Sequence, residues 1–264
     1  FAMIFAVSMA MGQNSSTVAQ TGTDHDATVD QSGDLNTSTI TQDQGFNLST
    51  ANGSSATIEQ IGNSNSSAVN SWGWNHTVNV YQEGDENASG VEQSGGENIA
   101  DINQVGNRNT VKGLGSSSNA FQKAGDPFGG DMNELDVDQL GDDNTASIWQ
   151  EHRANATVYQ LGGMNKSTVK QTGAAFGDDN NATVQIFGDD NTTDFLQNGD
   201  GNSAVAKIGF QSTATYESNL NDVTISQIGN SNAALFGLTM GDGNIVSVDQ
   251  DGDNYVHGSA EYFL

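Results

Sequence analysis

Residues 31–42 read Gln31-Ser32-Gly33-Asp34-Leu35-Asn36-Thr37-Ser38-Thr39-Ile40-Thr41-Gln42. The pattern within them is Gln-x-Gly-x-x-Asn-x-small-x-Val/Ile-x-Gln, and its last residue is the first of the next copy. The interval is eleven residues: Gln20, Gln31 and Gln42 are in step, then Gln82, Gln93 and Gln104, then Gln139 and Gln150. One strand and one turn per interval, repeated in register, is the plain reading, and a fixed short period is the mark of a repeat architecture.

Allowing insertions, nineteen units are centred on Gln20, Gln31, Gln42, Gln60, Ser71, Gln82, Gln93, Gln104, Gln122, Gln139, Gln150, Gln160, Gln171, Ile186, Gln197, Ile208, Gln227, Leu238 and Gln250. Alternate side chains of a strand share a face. Asn36, Ser38, Ile40 and Gln42 therefore point one way, and Thr37, Thr39 and Thr41 the other. Helix competes poorly, because Gly recurs too often and β-branched residues hold the centres. The turns carry Gly with Asp or Asn, which suit tight bends. A lone strand cannot bury its apolar face, whereas parallel stacking merges the apolar columns into one core. That core is expected to hold Val18, Val29, Ile40, Ile58, Val69, Val80, Val91, Ile102, Val137, Ile148, Val158, Val169, Val184, Ile225 and Val248.

Buried amides must be hydrogen-bonded. In coils stacked about 4.8 Å apart the same residue recurs above itself, so an amide N–H meets the C=O of the next coil. This accounts for polar side chains in phase with Val. The expected ladder comprises Gln20, Gln31, Gln42, Gln60, Gln82, Gln93, Gln104, Gln139, Gln150, Gln160, Gln171, Gln197, Gln227 and Gln250, with Asn36, Asn65, Asn87, Asn98, Asn144, Asn165 and Asn191. The fold expected is all-β: a parallel β-solenoid of two stacked sheets, about nineteen short strands in roughly nine or ten coils and about 45 Å long.

The repeat resembles the curlin repeat of bacterial curli, an extracellular functional amyloid, over roughly residues 14–254. A full curlin repeat is a strand-turn-strand pair, so two of these units make one. The resemblance implies an amyloid-like cross-β fibre for biofilm matrix and surface adhesion, a nucleating subunit and an outer-membrane export pore as partners, and Asp and Gly gatekeepers that slow fibre growth. It departs from the family in its large insertions, in the lack of a Gly-rich segment before Asn14, and in Ile186, Ile208 and Leu238 where Gln is usual.

The chain has 264 residues, 33 acidic against 7 basic, no Cys and 34% apolar residues. So few cations make nucleic acid an unlikely partner, and such an excess of one sign opposes self-association. Without Cys there is neither disulfide nor thiolate chemistry. Residues 1–12 are apolar with small residues and read as the remnant of a Sec signal peptide or an N-terminal cap. The run is too short to span a membrane. Residues 13–254 form the solenoid, with loop insertions near 43–52, 105–119, 123–133 and 209–220 and a shorter one near 174–179. Pro127, which lacks a ladder donor, falls in the third. Residues 255–264 are a tail that has lost the pattern.

Gly-Asp pairs crowd the turns, among them Gly33-Asp34, Gly84-Asp85, Gly141-Asp142 and Gly188-Asp189. Stacking would set carboxylates in columns, where weak Ca²⁺ binding could relieve their repulsion; otherwise no cofactor or metal is expected. No catalytic constellation is visible. His25 and His76 stand where Asn usually stands, and no phosphate loop or zinc-helix motif occurs. Phe121, Trp149, Lys170 and Leu196 should be outward neighbours on one sheet, forming a possible lateral contact; Trp72 and Trp74 share the outward phase.

The expectation is a non-enzymatic, secreted, cell-surface fibre subunit whose partner is itself. One alternative is a monomeric solenoid binding ice or carbohydrate through outward Thr17, Thr28, Thr39, Thr57, Thr77, Thr157, Thr168 and Thr183. Another is a polysaccharide lyase on a β-helix.

Overall fold

The computed structural model describes residues 5–6, 13–44, 53–114, 119–123, 132–173, 179–209, 219–238 and 242–252. Every unit centre lies in a strand. In chain order these are β1 (Phe5–Ala6), β2 (Ser15–Thr21), β3 (Asp26–Ser32), β4 (Thr37–Asp43), β5 (Ser55–Ile61), β6 (Ser66–Trp74) and β7 (Thr77–Glu83). Then come β8 (Ala88–Gly96), β9 (Ile99–Val105), β10 (Thr110–Lys112), β11 (Ala120–Lys123), β12 (Glu134–Leu140), β13 (Thr145–Glu151) and β14 (Ala154–Leu161). The last are β15 (Lys166–Thr172), β16 (Asn180–Phe187), β17 (Thr192–Asn198), β18 (Ser203–Ile208), β19 (Asp222–Ile228), β20 (Ala233–Leu238) and β21 (Ile245–Asp251).

Successive units alternate between two parallel sheets, which is what a strand-turn-strand coil requires. Sheet I runs β1-β3-β5-β7-β9-β12-β14-β16-β18-β20, and sheet II runs β2-β4-β6-β8-β10-β13-β15-β17-β19-β21. Pairing is in register, with Gln31 opposite Gln60, Ile148 opposite Val169, and Gln160 opposite Ile186. The short β10 and β11 share one rung of sheet II: Thr110 lies between Ala88 and Thr145, and Gln122 between Gln93 and Gln150. Sheet I has nine full strands beside the ten rungs of sheet II. The two-residue β1, opposite Thr28 and Val29, occupies the tenth place.

The period of two fixes the core. In β4, Ser38, Ile40 and Gln42 are buried while Thr37 and Thr39 are exposed. Val29, Ile58 and the other Val and Ile centres from β3 to β19 line one continuous apolar cluster, against which Val18, Val246 and Val248 pack partly buried at the two ends. Each fully buried Val or Ile contributes about 1.5–3 kcal/mol. Ile186 and Ile208, which replace Gln, are fully buried as well.

The coil has two long edges. Where sheet I passes to sheet II, the turn is Gly-Asx-x-Asn, as in Gly84-Asp85-Glu86-Asn87, and the third residue is left-handed: Leu35, Ser64, Glu86, Arg108, Asp143 and Met164 have φ of 57–60°. The Gly is obligatory there. At Gly106, with φ +118°, a Cβ would lie inside the van der Waals shell of the Gly141 carbonyl in the next coil.

The interruptions are narrower than the sequence spacing indicates. Residues 106–112, inside the insertion read at 105–119, form an ordinary turn and β10; the break falls between Lys112 and Ala120, within one rung. Asp43, Lys123 and Asn133, at the limits of two other insertions, belong to strand or side-chain column. The centres of the insertions, most of residues 1–12 and the tail 255–264 lie outside the described residues.

Candidate functional site: side-chain columns and the ends of the stack

Within the two columns an inward Gln uses both protons of its amide: one goes up to the next Gln, the other across to the first strand residue of the opposite sheet, except where the next position is not Gln or the column ends. Gln82 Nε2 donates to Gln104 Oε1 at 2.8 Å and to the Ser66 carbonyl at 3.1 Å. In sheet I the chain of amides runs Gln31, Gln60, Gln82, Gln104, Gln139 and Gln160, with links of 2.7–2.9 Å. It then gives way to Ile186 and Ile208. In sheet II it runs from Gln93 through Gln122, Gln150, Gln171, Gln197 and Gln227 to Gln250. Gln20 donates to Gln42; Ser71 is too short to continue from Gln42 but donates to Gln93 Oε1 at 3.2 Å.

Asn does a different job. Its Oδ1 accepts the backbone N–H of the residue above it, and its Nδ2 reaches turn carbonyls: Asn65 Oδ1 accepts from the Asn87 backbone, while Asn65 Nδ2 donates to the Ile61 and Gly84 carbonyls. In sheet II this column is Asn14, Asn36, Asn65, Asn87, Asn109, Asn144, Asn165, Asn191, Asn221 and Asn244, every step bonded at 2.9–3.1 Å. Asn14, Asn109, Asn221 and Asn244 were not singled out in the sequence, although the spacing that marked the others includes them. In sheet I the same positions are His25, Ser54, His76, Asn98, Asn133, Ala154, Asn180, Asn202 and Asn232. Both His imitate Asn. Nδ1 of His25 accepts the Ser54 N–H and Nδ1 of His76 accepts the Asn98 N–H, while the Nε2 atoms face the Thr21 and Trp72 carbonyls. Burial pushes the His76 pKa down to about 4. Among the described residues no group of three or more His, Cys, Asp or Glu is placed to hold a metal ion.

The turns add a third ladder that sequence reading missed. Backbone N–H groups of Asp34, Asn63, Asp85 and Asn107 donate in turn to Oδ1 of Asn63, Asp85, Asn107 and Asp142. Gly163, Asp189 and Asn219 donate likewise to Asp189, Asn219 and Asp242. Carboxylates therefore do not stand over carboxylates along this edge: each Asp has Asn or Gly163 between it and the next. Two of those Asn also donate their side-chain N–H to the Asp above, at 3.0 Å. The expected stack of like charges is corrected by this alternation, which only the three-dimensional register makes visible.

On the outer faces, Phe121, Trp149, Lys170 and Leu196 occupy successive rungs of sheet II, with the Phe121 and Trp149 rings 4.3 Å apart. An apolar column that sequence reading overlooked, Val105, Leu140, Leu161 and Phe187, lies along sheet I. Trp72 is exposed; Trp74, expected outward like it, lies over Gly96, where a Cβ would strike its ring. The outward Thr line up only in pairs, Thr17 with Thr39, Thr28 with Thr57 and Thr157 with Thr183, and form no continuous row. Asn79, Asp101 and Asp136 separate Thr57 from Thr157 on sheet I.

Among the described residues the columns end with opposite polarity. Gln20 Oε1, at the first rung of sheet II, is buried with no partner among the described residues. Gln250 Nε2, at the last, donates among the described residues only across the coil, to the Ala233 carbonyl at 3.1 Å. The strands there, β2 and β21, each pair on one side among the described residues. No helix among the described residues is long and apolar enough to cross a membrane.

Three segments of the chain, residues 12–33, 73–106 and 219–252, match the family described as the curlin associated repeat. Among curated proteins, none matches. Over these segments the chain carries the curlin associated repeat.

Proposed function

We propose that this curlin-repeat protein is a secreted fibre subunit whose copies stack end to end into curli-like amyloid fibrils, for biofilm matrix and surface adhesion. The observation that carries the reading is the complementary pair of open ends. The last rung offers an amide donor at Gln250, the first an amide acceptor at Gln20, and among the described residues both edge strands pair on one side only, which leaves templates for pairing.

Setting β21 of one copy on β2 of the next, in the register used throughout sheet II, places Asn244 on Asn14, Val248 on Val18 and Gln250 on Gln20. The outward pairs are Ile245 with Ser15, Asp249 with Ala19 and Asp251 with Thr21, so no two carboxylates meet. Burial of Val246, Val248 and Ile245, the last 83% exposed in the free chain, favours closure. β1 supplies the place that sheet I would otherwise lack at the joint. Export through an outer-membrane pore, nucleation by a second subunit and an extracellular, cell-surface location rest on the family alone.

The test is fibre growth from purified chain, followed by seeded kinetics and fibre diffraction. Aligned fibres with a meridional repeat of about 4.8 Å are expected. Elongation should quicken as salt rises, because screening relieves repulsion between chains of net charge −26. Monomer that persists at high salt with seeds present would refute the reading.

A further inference from the structure

The outer faces of the two sheets differ in charge. On β5, β7, β9 and β12, sheet I turns Glu59, Glu83, Asp101, Glu134, Asp136 and Asp138 outward. The chain has no Lys or Arg before Arg108, and none of these strands carries one. Asp136 stands directly beside Asp101, with Glu134 and Asp138 on the same face of its strand. Burial, together with Asp138, Asp101 and Glu134, pushes the Asp136 carboxyl up. This face therefore lacks countercharge.

Sheet II is the converse. Between β10 and β15 it presents four of the chain's seven cations, Lys112, Lys123, Lys166 and Lys170. They surround the Phe121–Trp149 pair, and Lys170 is the rung neighbour of Trp149. Among the described residues, Lys123, Lys166 and Lys170 form no ion pair. Glu92, Glu151 and Asp194 share the face and leave it near neutrality, in a chain that is otherwise strongly anionic.

We propose that the acidic outer face of sheet I is a lateral docking surface for a second copy of this chain, which presents the Lys and aromatic face of its sheet II. The inference rests on the fibre reading above, since stacked copies repeat both faces along one axis. Two sheets with the same rung spacing can pack face to face about 10 Å apart, so matched charges recur along the fibre. Because one face meets a different one, the contact does not close on itself and propagates sideways. Screening acts on it with the opposite sign to elongation: salt speeds growth at the ends and loosens the lateral contact.

Electron microscopy of fibres at low and raised ionic strength tests this. Wild-type fibres should lie in bundles at low salt and separate as salt rises, with their length kept. Lys123→Glu, Lys166→Glu and Lys170→Glu together should reduce the bundled fraction by about tenfold and leave the 4.8 Å repeat unchanged. Asp101→Lys with Glu134→Lys should do the same. Triple-Glu fibres that bundle like wild type, or bundles that tighten with salt, overturn the lateral proposal alone. Failure of wild type to form fibres overturns the fibre reading and this inference with it.

Discussion

The two edges of the solenoid solve one problem with different strictness. Where sheet I passes to sheet II, a Gly, an Asx acceptor, a left-handed residue and an Asn recur, and the Asn column that follows is unbroken from Asn14 to Asn244. Where sheet II returns to sheet I, the column contains His25, Ser54, His76 and Ala154, and three of the insertions enter there, after β4, β11 and β15. What the second edge keeps is an acceptor for the next backbone N–H: imidazole Nδ1 at His25 and His76, hydroxyl Oγ at Ser54. At Ala154 the acceptor is lost, and the N–H of Asn180 turns to the Arg153 carbonyl at 3.2 Å. The coil thus demands a satisfied N–H at each step, and a particular side chain only where the backbone path is also fixed.

Gly106→Ala attacks the strict edge at one of its close Gly–carbonyl approaches. The new Cβ would meet the Gly141 carbonyl in a backbone conformation L-residues avoid, so a loss of about 4 kcal/mol or more is expected in urea unfolding of the monomer. Asn144→Ala removes the acceptor of two donors of buried Asn165, its backbone N–H and Nδ2, and should cost roughly 3 kcal/mol. Ser54→Ala on the looser edge orphans only the His76 N–H and should cost about 1 kcal/mol. Equal losses would erase the distinction between the edges.

His76 gives the looser edge a pH dependence that Asn cannot have. Unfolded, it binds a proton near 6.5; folded, only near about 4. Between those values the unfolded chain holds more protons, so stability falls as pH drops through the window, by about 3 kcal/mol at its foot. In His76→Asn this component should vanish, which denaturant midpoints measured from pH 7 to 4 would show.

The smallest effect is a gain. Gly163 interrupts the turn ladder on the strict edge, and a Cβ there meets only ordinary contacts, at 3.4 and 3.5 Å. Gly163→Asn should supply an acceptor to the Asp142 N–H and raise stability by about 1 kcal/mol, read as a higher midpoint of unfolding.

Much of this was legible in the chain because the period of two and the interval of eleven are both one-dimensional. Residues such as Ile40 and Gln42 disclose their shared face by spacing alone, and so do the placement of His76 in an Asn column and the adjacency of Phe121 and Trp149. The turn ladder was not legible. Asp34 and Asn63 are neighbours only because intervening units fold away to the other sheet, so a list of Gly-Asp pairs suggested stacked charge where the coil alternates it. The extent of the insertions was obscured for a related reason: Thr110–Lys112 and Ala120–Lys123 share a rung although the repeat between them is broken.

The central claim is that like side chains stack over like across the joint as well as within the chain. The chain has no Cys, so single thiols can be placed on separate copies at Ser15→Cys and Ile245→Cys, both outward on terminal rungs of sheet II. Paired rungs bring Cα atoms to about 4.8 Å, within disulfide reach. Fibres grown from the mixture should yield cross-linked dimers joining position 15 to position 245, with neither homotypic pair. Linkage of 15 to 15 or 245 to 245, or no linkage in well-formed fibres, would contradict the account.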